Sequence, residues 1–150
     1  MCMSKGLLNT PFESMLRLLL LLATLDKGLD VDHLAFIDFL SIYGKTLNIL
    51  NDNLNGDNNY SLSEFSLKRR RMMQAVLLGL RNGYLRVLGD GEGLCYSISN
   101  EGRQFIMKNK SQYAVEYCEN VKRVYEKMKD RSLLDYFQII SSTAKQKGEG

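Results

Sequence analysis

The apolar positions of the chain cluster, and their spacing predicts most of its elements. In NTPFESMLRLLLLLATLDKG, residues 9–28, the leucines between Leu16 and Leu22 cover more than one side of a helix, which predicts a helix buried on most sides. Thr10 suits the cap, Pro11 the first helical position, and Glu13 the third place of a capping box, with Gly28 as the stop. In DVDHLAFIDFLSIYG, residues 30–44, either Asp30 or Asp32 can cap a second helix. Its Leu34, Ile37 and Leu40 are interleaved with Phe36, Phe39 and Tyr43, so it too is apolar nearly all round. A stretch rich in Asn and Asp, residues 48–60, then reads as a loop.

SLKRRRMMQAVLLGL, residues 66–80, predicts a third helix capped by Ser66, with Met73, Val76, Leu77 and Leu80 as its buried stripe. Asn82-Gly83 ends it. The runs YLRVL and LCYSI, joined by GDGEG, predict a β-hairpin over about 84–98. Ser99 or Asn100 caps a short helix through EGRQFIMKN, and a long helix over about 111–129 carries Tyr113, Tyr117, Val121, Tyr125 and Met128 on one stripe. The fold class is therefore mainly α with a small β-hairpin. Three helices, a hairpin and a helix give the order of a winged-helix domain over 1–131, with an additional long C-terminal helix. Residues 132–150 form an apolar tail segment and a polar C-terminus.

Charge changes this picture. The chain of 150 residues carries a net +3, but residues 1–65 hold 4 basic and 8 acidic side chains, whereas residues 66–131 hold 14 and 7. That split points to an acidic partner or nucleic acid on the basic side. Four cations, Lys68, Arg69, Arg70 and Arg71, stand together at the expected start of the third helix, where the macrodipole disfavours them by about 0.3–1 kcal/mol each. With Arg81 and Arg86 they are the candidate contacts to phosphates or to a partner. Successive residues turn by about 100°, so the run must divide between outward contacts and an ion pair to the protein itself.

Candidate chemistry is sparse. There is one histidine, His33, and no HExxH, GxSxG or Walker pattern, so no enzyme class is indicated and no cofactor or metal is expected. Cys2, Cys95 and Cys118 lack metal-ligand spacing and read as reduced thiols of a cytoplasmic protein. The Asn-rich stretch resembles a calcium loop, but Leu62 stands where a bidentate Glu is required. The leucine run is too short to span a membrane. Asp38, inside an apolar helix with no second catalytic group indicated, is expected to make a buried structural hydrogen bond or salt bridge.

TPFESMLRLLLLL, FIDFLSIYG, a polar insert, KRRRMMQAVLLGLRNGYLRV, the hairpin, YSISNEGRQF and SQYAVEYCENV, in that order, resemble the middle component of bacterial ABC-three-component conflict systems, over roughly 9–129. Within that group it resembles the small subunits of Lamassu-type anti-phage defence. The matching positions are Pro11, Phe12, Glu13, Arg17, Asp38, Arg69, Arg70 and the Gly83 turn. The resemblance implies a non-enzymatic adaptor between an SMC-like coiled-coil ATPase and an effector nuclease, holding the effector inactive until foreign DNA is sensed. DNA would be met through the complex, mostly without sequence preference. Pro11, Phe12, Arg17, Tyr113, Tyr117 and Tyr125, with Leu133, Leu134, Tyr136 and Phe137 of the tail, are the expected partner interface. The alternative is a winged-helix transcription regulator that binds DNA on its own. The role of the insert is open in both readings.

Overall fold

Pro11–Leu25 form helix α1, and the Thr10 hydroxyl accepts the Glu13 amide at 3.1 Å, which supplies the cap that the sequence specifies. The computed structural model describes residues 10–43, 62–89, 93–108, 111–132 and 134–135. Helix α1 ends earlier than Gly28. Asp26 takes a left-handed conformation (φ 52°), and its amide closes on the Leu22 carbonyl. Met15, Leu18, Leu19, Leu21 and Leu22 are fully enclosed because α1 runs through the middle, packed by every other helix and by the hairpin.

Helix α2, Val31–Tyr43, is capped by Asp30, whose carboxylate accepts the His33 amide at 2.8 Å. It is buried from Leu34 to Ile42 between α3 and α5. The Asn-rich insert lies outside the described residues.

Helix α3 spans Leu62–Arg81, starting four residues before Ser66. Lys68 is therefore nearly two turns inside it, where the macrodipole penalty expected for the basic run has faded. Its buried line is Phe65, Lys68, Met72, Ala75, Val76 and Gly79. The expected stripe was rotated: Val76 is buried, Leu80 is half-buried, and Met73 and Leu77 face solvent. Admitting a lysine to the inward face corrects the phase, and the reason for the lysine is an aspartate beneath it.

Strands β1, Leu85–Leu88, and β2, Cys95–Ile98, pair antiparallel from Leu85↔Ile98 to Leu88↔Cys95, as the hairpin pattern predicts. Leu29, in the α1–α2 turn, adds a bridge to Tyr96 through bonds of 3.0 and 2.8 Å. The hairpin is thereby tied to the helical layer. Ser99 caps helix α4, Asn100–Met107, by accepting the Gly102 amide at 3.0 Å, and donates its hydroxyl proton to the Gly83 carbonyl at 2.7 Å. Helix α5, Gln112–Met128, buries Ala114, Tyr117, Val121, Val124 and Met128 against α1 and α2. Of the expected stripe, Tyr113 and Tyr125 are only half-buried.

Candidate interaction surface

Helix α3 turns one face to the core and one to solvent, and a buried polar cluster sets which is which. The Arg17 guanidinium donates to the Asp38 carboxylate, Nε to Oδ1 at 3.0 Å and Nη2 to Oδ2 at 3.5 Å. The Tyr117 hydroxyl donates to the same Oδ1 at 2.5 Å. Lys68 is 9% exposed and brings a second positive charge to this carboxylate. The cluster joins α1, α2, α3 and α5 at one point.

Its electrostatics are those of a neutralised interior site. Burial alone would push the Asp38 carboxyl up; Arg17, Lys68 and the Tyr117 hydroxyl outweigh that and hold it below the usual carboxylate range. Burial likewise opposes the charge on Arg17, and Asp38 more than restores it. Burial, aided by Asp38, raises the Tyr117 phenol well above its ordinary value, and burial pushes Tyr113 up to about 12. Glu13, one turn before Arg17 on α1, is raised by burial, with Arg17 partly offsetting the rise. Asp38 thus stays charged and Tyr117 neutral at physiological pH, an arrangement suited to holding helices in register.

The sequence-predicted residues separate accordingly. Arg17 and Tyr117 lie in the core, so neither presents itself at a surface. Pro11 and Phe12 are exposed at the start of α1, where the Phe12 ring meets Phe105 edge-on at 6.3 Å. The Tyr125 hydroxyl accepts from Lys27 Nζ at 2.8 Å, and Tyr113 lies parallel to Tyr117 with centroids 6.5 Å apart. Leu134 is exposed; Leu133, Tyr136 and Phe137 lie outside the described residues.

Within the basic run, Lys68 points inward and Arg69 donates to Asp32 of α2 at 2.5 Å, the ion pair to protein that the spacing requires. Arg70 and Arg81 are exposed and Arg71 is half-exposed, while Arg86 is exposed on β1. At about 100° per residue, Arg70, Leu77 and Arg81 fall within about 40° of one another, opposite Lys68. Leu67 and Met73 flank this line, and Leu77 at its centre is 53% exposed. Reading the sequence alone missed these three apolar side chains, because the misplaced stripe assigned Met73 and Leu77 to the core. The missed signal is the line Phe65–Met72–Val76–Gly79, which leaves Leu77 outward once Lys68 is allowed inside.

The family model for the ABC-three component (ABC-3C) system Middle Component 2 matches residues 7–149. The chain belongs to that family. No curated protein and no solved structure matches it. A middle component of a three-component system works with partner proteins, and the solvent-facing side of α3 in this middle component offers charge and apolar area together. No helix among the described residues is long and apolar enough to cross a membrane, and none of their His, Cys, Asp and Glu side chains form a group that could hold a metal ion.

Proposed function

We propose that this middle component is a non-enzymatic adaptor of a Lamassu-type anti-phage defence complex in the cytoplasm. It bridges an SMC-like coiled-coil ATPase and an effector nuclease, and it holds the effector inactive until foreign DNA is sensed. The family match over 7–149 carries this reading. The burial pattern supports it. The closely spaced ionisable groups Arg17, Asp38, Lys68 and Tyr117 neutralise one another inside the protein rather than converging on an open cleft. A winged-helix architecture is part of the proposal: the order of α1–α3, hairpin and α4 suits it, and the Leu29–Tyr96 bridge gives the wing a third short edge.

Co-expression of the three components, followed by size-exclusion chromatography with light scattering, tests the bridge. The expected result is one complex that needs the middle component, with DNA cleavage by the effector suppressed inside it. Separate elution of all three, or tight sequence-selective duplex binding by the isolated chain at physiological salt, would replace the adaptor with a DNA-binding regulator.

A further inference from the structure

The outward face of α3 has a composition that discriminates between partners. From Ser66 to Gly89 the chain contains no aspartate or glutamate. Arg70 and Arg81, three turns apart, bracket Leu77, with Gln74 between them and Leu67 and Met73 on the flanks. Of the other cations of the run, Lys68 lies on the opposite side against Asp38, Arg69 is engaged by Asp32 of α2, and Arg71 stands half-exposed at the margin of the face.

We propose that this face docks an acidic amphipathic helix of a partner protein, with apolar side chains seated on Leu67, Met73 and Leu77 and carboxylates before and after them along its length meeting Arg70 and Arg81. The inference rests on the adaptor reading and specifies one of its contacts. Duplex DNA is the lesser fit. A recognition helix reads base edges with donors and acceptors, and apolar contact in the major groove is largely limited to thymine methyls. Here the centre of the face is a leucine. Protein interfaces have the opposite layout, an apolar centre with arginine beside it and a polar rim. Leu67, Arg70, Gln74, Leu77 and Arg81 recur at the three- and four-residue spacing of one helix face, so a second helix packed along α3 meets them in register.

The test uses the full-length chain co-expressed with the other two components of its system. A photo-crosslinking residue is placed at Leu77 and, as a control, at exposed Gln104 on α4. Leu77→Asp, Met73→Asp and Arg70→Glu/Arg81→Glu are made in parallel. All four positions face solvent, so the variants should keep the wild-type far-UV circular dichroism and melting. The expected result is a cross-link from position 77 to an acidic, helix-patterned segment of one component. Affinity should fall at least about tenfold for Leu77→Asp, the scale of a hot-spot residue. Charge reversal of that segment should rescue Arg70→Glu/Arg81→Glu. Wild-type assembly with unaltered affinity in all three variants would overturn the docking face while leaving the adaptor intact. Failure of the wild type itself to assemble would overturn both. Cross-linking of position 77 to duplex DNA, with weakened DNA binding in Leu77→Asp, would assign the face to nucleic acid instead.

Discussion

Asp38→Asn isolates the charge that holds four helices together. The asparagine keeps the shape and can still accept from Tyr117, but it removes the negative charge that faces both Arg17 and Lys68, residues only 2% and 9% exposed. Removing one partner of a buried ion pair costs about 3–5 kcal/mol, because the other charge stays desolvated. For a chain of this length that lowers the melting temperature by about 6–20 °C. Urea denaturation followed by circular dichroism at 222 nm (the helical band) measures it. The cycle with Lys68→Met gives the stricter check: adding Lys68→Met to Asp38→Asn should recover stability, whereas alone it should not raise it. The acid limb follows from the same residue. A carboxyl whose folded value lies below its ordinary 3.8 contributes stability that is complete above that value and lost as pH falls through the lower folded one. Asp38→Asn should therefore flatten the pH dependence below 3.8. A loss under about 1 kcal/mol, or strict additivity with Lys68→Met, would refute the view that this carboxylate neutralises both cations.

Two further outcomes follow from local geometry. Glu13 has a raised folded value, so the wild type loses stability as pH climbs from 4.5 through that value; Glu13→Gln should gain on the wild type as pH rises above 4.5, read as a difference in melting temperature, and a relative decline would contradict it. Gly102→Ala places a methyl against the Tyr84 carbonyl oxygen and 2.8 Å from Ile98 Cγ1, at the junction of hairpin and α4; it should cost about 1–3 kcal/mol in urea denaturation, and an unchanged midpoint would show that the junction yields.

Element types were legible wherever a periodic run met a cap or a turn. Thr10-Pro11, Asp30, Asn82-Gly83 and Ser99 all act at their expected places, and GDGEG joins the two strands. The phase of α3 was not legible. Hydropathy sorts lysine outward, yet Lys68 lies inward because Asp38, thirty residues earlier, is under it. Once Lys68 is miscounted, the whole helix rotates and Met73 and Leu77 are assigned to the wrong side. Asp38 itself was recognisable as a buried structural group, making a hydrogen bond or a salt bridge, but its partners were not, since Arg17 and Tyr117 come from other helices. The start of α3 was also missed, because Ser66 offers a plausible cap inside a helix already under way.

The charge asymmetry of the chain now has a physical reading different from its first one. The acidic N-terminal half and the basic second half meet across the packing of α2 on α3, where Asp38 engages Lys68 and Asp32 engages Arg69. Part of the positive excess is consumed in fixing the rotation of α3, and only the remainder faces solvent. Arg70, Arg71, Arg81 and Arg86 would supply a salt slope of at most roughly −4 on duplex DNA, at about −0.9 per phosphate neutralised. A chain held to DNA by these contacts alone would lose roughly a hundredfold in affinity between about 50 and 200 mM salt. Contacts made by Leu67, Met73 and Leu77 carry no such penalty, because apolar burial is not screened by ions. At physiological ionic strength the apolar centre of α3 therefore outlasts its arginines as a source of affinity. For the acidic partner helix proposed above, the arginines would supply steering onto that centre.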